Sequence, residues 1–339
     1  MPSYFSRMTI FVAMVEVSII IVCMNRPDNL YPCLESIMLN TGVQYETIVV
    51  AYMYSQEGLQ KAREDFPWVK FIVNDSIRGF SENNNLALKQ ARGRFCFILN
   101  DDTEVSEGAV DKLVADFEGL PEKTAIVTPK LLNADGTLQL CGRPEYPAVN
   151  YVLQQWHLFK EPVDNTIGRD PDFTIDGRRI FRTFNISGAA FMIRTDVFEE
   201  LGWFDERFFF TPEDIALSTS ARKKGYSVFV DADTEITHKW RTTASKIMSA
   251  VRPAAVRGSL IHFSGSNNLR YIAIAVPVWC AEFAKRLKAA YVCAMVPSIE
   301  NHSKLMTFRN ITRSIFTHDS PKRIFTKYYD ILKKLQGNG

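Results

Sequence analysis

The chain has 339 residues, 46% of them hydrophobic and 23% charged. That balance excludes wholesale disorder and leaves room for one large core or two modest ones. The net charge of +2 hides a split: from Lys239 to Gly339 there are 17 basic and 4 acidic residues, whereas residues 1–238 hold 23 basic and 34 acidic ones.

This polarity reads either as an acidic, cation-binding body with a basic tail facing an anionic surface, or as a solvated basic helical extension. The six cysteines (Cys23, Cys33, Cys96, Cys141, Cys280 and Cys293) form no C-x-x-C pair, and several sit inside apolar runs. A disulfide framework and a zinc site are therefore not expected; reduced, buried thiols of a cytosolic protein are.

In chain order, Met8 to Cys23 is apolar apart from Thr9, Glu16 and Ser18. It resembles a signal peptide only superficially, because Glu16 interrupts it and no small-residue cleavage site follows. Residues 1–15 are read as an extension, with Met14 as an alternative start. Val17 to Val22 is a β-branched run suited to a strand buried on both faces. Pro27 opens a helix carrying Leu30, Leu34, Ile37 and Met38, and Gly42 closes it. Strands follow at Thr47–Ala51 and Val69–Val73, with a helix at Gln56–Phe66 between them. A polar loop runs from Asn74 to Glu82, then a helix from Leu86 to Ala91 and a strand from Phe95 to Leu99. Strands and helices alternating through short links predict a mainly parallel sheet with helices on both faces.

Beyond Thr103 the pattern predicts a helix at Val110–Phe117, a strand at Ala125–Thr128 and a turn at Asn133–Thr137. Residues 142–180 read as irregular, substrate-shaping loop. A strand at Ala189–Ile193, helices at Asp196–Leu201 and Asp214–Lys224, and a strand at Val228–Val230 complete a body that ends near Trp240. Residues 241–339 read as a basic, mostly helical region. Its apolar stretches, Tyr271–Ala281 and Ala289–Val296, are separated by Glu282, Lys285, Arg286 and Lys288, so neither crosses a bilayer. An amphipathic helix lying on a surface fits them, and so does a packed helical subdomain.

Four segments carry chemistry. Phe-Ile-Leu-Asn-Asp-Asp-Thr at 97–103 ends a buried strand in two carboxylates, Asp101 and Asp102, where hard cations and through them phosphates bind; the same residues also suit a plain strand-to-helix link. Glu213-Asp214 follows Phe208-Phe209-Phe210 and opens a helix. Acids are favoured there by the dipole, and a carboxylate beside aromatic walls is also a candidate general base. His238 is either a satisfied polar residue or the completion of a metal or phosphate site. Asn74-Asp75 and Arg78 to Asn85 suit base and ribose recognition, or form a turn-rich loop.

Taken in order, Val17–Asn25, Asn74–Asn85, Asn100–Thr103, Ser187–Ala190, Gly202–Glu206, Glu213-Asp214 and His238 resemble the family 2 glycosyltransferases of the GT-A fold. Within that family, the closest resemblance is to rhamnosyltransferase-like members of bacterial surface polysaccharide synthesis. The likeness covers residues 16–240 and implies an α/β, Rossmann-like catalytic domain with a helical C-terminal extension.

It further implies inverting, metal-dependent transfer of a hexosyl or rhamnosyl unit from a dTDP- or UDP-sugar to a glycan or lipid-linked acceptor, by a cytoplasmic enzyme at the inner face of the membrane. No nucleic-acid partner is expected. By resemblance, Asp102 with Asp101 and His238 would hold Mg2+ or Mn2+. Asp75 would meet the base, and Asn25, Arg26, Arg78, Gly79, Asn84 and Asp101 the rest of the nucleotide sugar. Asp214, with Glu213 beside it, would be the catalytic base; Gly188, Ala189 and Trp203 would border the acceptor. Two departures stand out: Ala216 replaces a frequent second acid after the base, and Glu82 replaces a small residue. An inactive nucleotide-sugar-binding relative is the alternative. A dinucleotide-dependent oxidoreductase is disfavoured because Cys23-Met24-Asn25-Arg26-Pro27 stands where G-x-G-x-x-G would be.

Overall fold

The computed structural model describes residues 14–164, 166–240, 247–265 and 267–337. Most of the extension read at 1–15, namely residues 1–13, and residues 241–246 therefore lie outside the described residues.

Four parallel strands form one half of the sheet: β1 (Val17–Cys23), β2 (Tyr45–Tyr52), β3 (Lys70–Asn74) and β4 (Phe95–Asn100), in the order β3-β2-β1-β4. Helices α1 (Pro27–Asn40), α2 (Gln56–Asp65) and α3 (Phe80–Leu88) connect them. Alternation along β1 and β4 builds two apolar layers. Val17, Ile19, Ile21, Phe95, Phe97 and Leu99 join one core, and Ile20, Cys96 and Ile98 the other. Period-two side chains on a sheet covered on both faces make both sets apolar, which is why these strands read as continuous hydrophobic runs. Truncating the buried Phe97 to Ala would cost about 3–5 kcal/mol.

The second half is mixed. The short β5 (Thr103–Val105) and helix α4 (Ala109–Gly119) lead to β6 (Thr124–Leu132), then α5 (Ala148–Gln155), β7 (Phe173–Ile175), β8 (Arg178–Thr183), β9 (Ala190–Arg194), α6 (Thr195–Glu200), α7 (Glu213–Lys223) and β10 (Ser227–His238). The sheet continues β4-β9-β6-β10-β8-β7, with β5 paired on β10. β9 runs antiparallel to both β4 and β6, and β10 parallel to β6. Pairing of His238 with Thr103 brings the end of β10 to the rim where β4 ends.

Three sequence expectations change here. Residues 142–180 are not wholly irregular, since they contain α5 and the β7–β8 hairpin. The loop after β3 ends at Gly79, and the helix begins at Phe80 rather than Leu86, because Glu82 accepts from the Gly79 amide and starts the helix early. The last strand is twelve residues long and carries His238 at its end.

Among the described residues, the C-terminal region holds four helices: α8 (Met248–Ser264), α9 (Asn268–Met295), α10 (Ile299–Ser314) and α11 (Pro321–Gly337). They pack on the body built around the sheet. Phe325 lies 4.5 Å from Phe209, ring centroid to centroid, and Lys322 pairs with Glu82 at 2.7 Å. The two apolar stretches separated by charges are one continuous helix, α9. Among the described residues, no helix is long and apolar enough to cross a membrane.

Candidate active site

The carboxyl ends of β1, β3 and β4 and the end of β10 meet at one rim of the sheet, the position where open α/β sheets bind ligands. Asn25 is exposed there with φ 47°, and the Arg26 carbonyl accepts from the amides of Asn29 and Leu30 to start α1. Asp75 stands exposed one residue beyond β3. Its neighbour Asn74 folds the loop, accepting from the Ser76 amide at 3.1 Å and donating to Asn83 Oδ1 at 2.6 Å. The Arg78 amide donates to the Tyr52 hydroxyl. At Gly79 a Cβ would stand 2.1 Å from the Phe209 carbonyl oxygen, so only glycine lets that strand of chain pass. Asn84 does not reach this rim. Because the helix starts at Phe80, Asn84 is buried in its second turn, and its amide donates to the Phe80 carbonyl. Glu82, the unusual residue in this segment, is accounted for by its bonds to Gly79 and Lys322.

The adjacent carboxylates Asp101 and Asp102 diverge. The chain turns between β4 and β5, so the two side chains leave on different sides. Asp101 takes hydrogen bonds from Cys23 and Asn29 at the start of α1; burial pushes its carboxyl up to about 6, with the Asp102 charge adding to the rise and Cys23 and Arg26 opposing it. Asp102 instead meets His238: Oδ1 is 3.2 Å from Nε2, and the two residues are 6% and 5% exposed. The Gln139 amide nitrogen donates to the His238 carbonyl, which turns Gln139 Oε1 towards His238 Nδ1 at 2.8 Å. Nδ1 therefore carries a proton, and Nε2 faces the Asp102 carboxylate and lies 3.4 Å from Asn100 Nδ2.

Asp102 Oδ1 and His238 Nε2, 3.2 Å apart, are the two groups at this rim that could hold a cation. Among the described residues no third His, Cys, Asp or Glu joins them. Two protein ligands fit Mg2+ or Mn2+, ions whose remaining positions go to phosphate oxygens and water. Asp101 does not join that pair.

At the other wall, α7 begins with Glu213 and Asp214. Asp214 Oδ1 accepts from the Ile215 amide at 2.8 Å, and Oδ2 lies 3.4 Å from Arg143 Nη1. Arg143 is itself clamped by Glu161 through two bonds of 2.8 Å. Burial alone would weaken the guanidinium's hold on its proton, but Glu161 and Asp214 more than offset that, and the group stays charged. Glu213 is buried with Oε2 unpaired. Burial first, and the Asp214 charge second, push its carboxyl well above the usual range. Of the two acids, Asp214 is thus the one in contact with a counter-charge. Gly188 faces it: a Cβ there would be 3.7 Å from Asp214 Cβ and from Glu213 Oε1. The Ala189 carbonyl accepts from the Asn100 amide at 2.9 Å, which joins this wall to the one that carries Asp102 and His238. Trp203, at φ 66°, lies against Phe198 in the second core, 5.4 Å between centroids. Ala216 borders a cavity of about 640 Å³ behind α7.

Arg143, Glu161 and Gln139 were not singled out by sequence, whereas Asn100 was, within Asn100–Thr103. Arg143 and Glu161 lie in the Pro-rich stretch without periodicity, and Gln139 follows a turn; only the rim position of Asn100, next to the acids, carried a signal.

A family model described as glycosyl transferase family 2 matches residues 18–202, more than half of the chain. The O-antigen biosynthesis protein RfbC of Myxococcus xanthus is 28% identical over 243 residues, which is 70% of this chain but 18% of that protein, so the chain spans under a fifth of this relative. GalNAc-T7 with UDP, GalNAc and Mn2+ superposes with a TM-score of 0.57 at 18% identity, over 95% of this chain and 58% of that one. S. aureus TarS 1–349 in complex with UDP-GlcNAc gives 0.51 at 14%, over 96% and 92%. The mannosyltransferase PcManGT from Pyrobaculum calidifontis, in complex with GDP-Man and Mn2+, gives 0.50 at 13%, over 94% and 85%. At these identities the likeness carries the fold, a GT-A sheet flanked by helices, and nothing finer. The chain belongs to glycosyl transferase family 2.

Proposed function

We propose that the enzyme moves a sugar, with inversion, from a dTDP- or UDP-sugar to a hydroxyl of a glycan or lipid-linked saccharide in the building of a surface polysaccharide. One observation carries this reading: the Asp214 carboxylate is held by Arg143 across an open glycine from the rim where Asp102 and His238 converge. Asp75, exposed beyond β3, fits an acceptor for the N3–H of uracil or thymine.

Asp102 and His238 would hold the Mg2+ or Mn2+ ion, which when bound offsets the charge developing on the departing diphosphate. Asp214 takes the proton of the attacking hydroxyl; such help is worth ~10²–10⁴-fold. Arg143 holds that carboxylate in place, with Glu213 buried beside it. Gly188 leaves room for the acceptor to approach. One displacement from the face opposite the leaving group inverts the anomeric centre, and no enzyme nucleophile is required. A lipid-linked acceptor would bring the enzyme to the inner face of the membrane.

The test is transfer from UDP- and dTDP-sugars in Mn2+, with and without chelator, and the anomeric configuration of the product by NMR. The reading expects chelator-sensitive transfer with inversion. Retention would contradict it. An absence of turnover with intact donor binding would favour an inactive, nucleotide-sugar-binding relative.

A further inference from the structure

The outer face of α9 is apolar along its whole length. Leu269, Ile272, Val276, Leu287, Tyr291 and Met295 are between 45% and 79% exposed. Exposed Cys280 and Ala284 fill the turns between them, so the spacing of three and four residues traces one stripe down a single helix face. Over 28 residues the helix is about 42 Å long at 1.5 Å per residue. Isolated apolar residues on a surface need no explanation, but an unbroken stripe of this length does.

Charge identifies what covers it. Arg270 and Lys288 flank the stripe, and the one acid of α9, Glu282, is fully buried and paired with Lys285 at 2.7 Å and Arg252 at 3.8 Å. Behind the C-terminal end of the stripe lies a groove of about 1050 Å³ between α9 and α10. Leu287, Ala290, Ile299 and Met306 line it, with Arg286 and Arg309 on its walls and no acid among its lining residues. An apolar trough with guanidinium groups matches an amphiphile with an anionic head. The stripe presents no acid to repel one.

We propose that this face of α9, together with the adjoining groove, docks the enzyme on an anionic lipid bilayer. The helix lies in the plane of the interface, with its stripe among the acyl chains and its cations at the headgroups. The role of this surface rests on the reading of a lipid-linked acceptor; its existence rests on the geometry of α9 alone.

The test is flotation of the full chain with neutral phosphatidylcholine vesicles and with vesicles one-third phosphatidylglycerol. The wild-type chain is expected to float with the anionic vesicles, less so at high salt, and not with neutral ones. The double substitution Leu287→Glu, Tyr291→Glu removes two exposed anchors and should weaken partitioning about tenfold or more. Both side chains are exposed, so the melting temperature should hold; donor affinity and transfer to a water-soluble acceptor should hold as well, which separates loss of docking from loss of the enzyme. Undiminished flotation of the variant would overturn the proposal. So would a wild-type chain that ignores anionic vesicles but dimerises through this face, detected as a concentration-dependent mass by light scattering that the double substitution abolishes.

Discussion

Removing the clamp around Asp214 separates stability from catalysis. Arg143 and Glu161 have side chains 15% and 5% exposed, and two bonds of 2.8 Å join them. Arg143→Met leaves Glu161 as a buried carboxylate stripped of its partner, a change that typically costs about 3–5 kcal/mol. Arg143→Met with Glu161→Leu removes both charges and fills the space with apolar atoms. Replacing a whole buried pair in this way is close to neutral or stabilising, so the double variant should regain most of the loss, with a coupling of about 2 kcal/mol or more in the cycle. Activity should not return with it. Asp214 would lack the guanidinium 3.4 Å away that orients it, and kcat should stay at least ~10-fold down. Urea unfolding of the four chains gives the stabilities, and initial transfer rates give the catalysis. A double variant as unstable as the single one, or one that transfers at the wild-type rate, would refute this account of the clamp.

Other outcomes follow from the same geometry. Gly188→Leu should lower transfer more than tenfold with little loss of stability, because its side chain grows into the space in front of Asp214 and meets no closer neighbour than 3.7 Å at Cβ; transfer rate and thermal melting check it. Gln139→Leu removes the acceptor that fixes the His238 tautomer and should raise the Mn2+ needed for half-maximal effect by about 10–100-fold, measured by EPR titration.

Away from the site, Asp116 and Asp231 share Arg178 in the interior. Burial, then the Asp231 charge, push the Asp116 carboxyl up to about 8, against the pull of Arg178. A raised folded-state pKa contributes stability that is complete below the unfolded value near 4 and is lost as pH rises through 8. Asp116→Asn should therefore flatten the fall in stability between pH 5 and pH 8, a fall of at most about 1.4 kcal/mol per pH unit, in denaturant titrations across that range. An unchanged slope would contradict it.

The legible parts of the molecule were those where local chemistry and tertiary role agree. β1 and β4 are apolar on both faces because both faces are covered, so the parallel half could be read directly. The break from Leu99 to Asp101-Asp102 marked the rim for the same reason. What sequence could not supply was direction: two neighbouring carboxylates look equivalent, yet the turn into β5 sends Asp101 to Cys23 and Asn29 and Asp102 to His238.

The start of α3 was hidden because three consecutive asparagines are poor helix formers. Their side chains find partners in Asn74, Phe80 and Phe204 that only the fold provides. Arg143 and Glu161 sit 18 residues apart in a stretch without period, so nothing announced that they meet. In α9 the charges that divided two apolar stretches lie within one helix: Glu282 is buried against Lys285.

Asp214→Asn is the most direct measurement, since amide and carboxylate are the same shape and differ in basicity. The account predicts that transfer falls by ~10²–10⁴-fold while the affinity for UDP or dTDP in the presence of Mn2+ stays within about twofold of wild type. A variant that transfers sugar at the wild-type rate would contradict the assignment of Asp214 as the base.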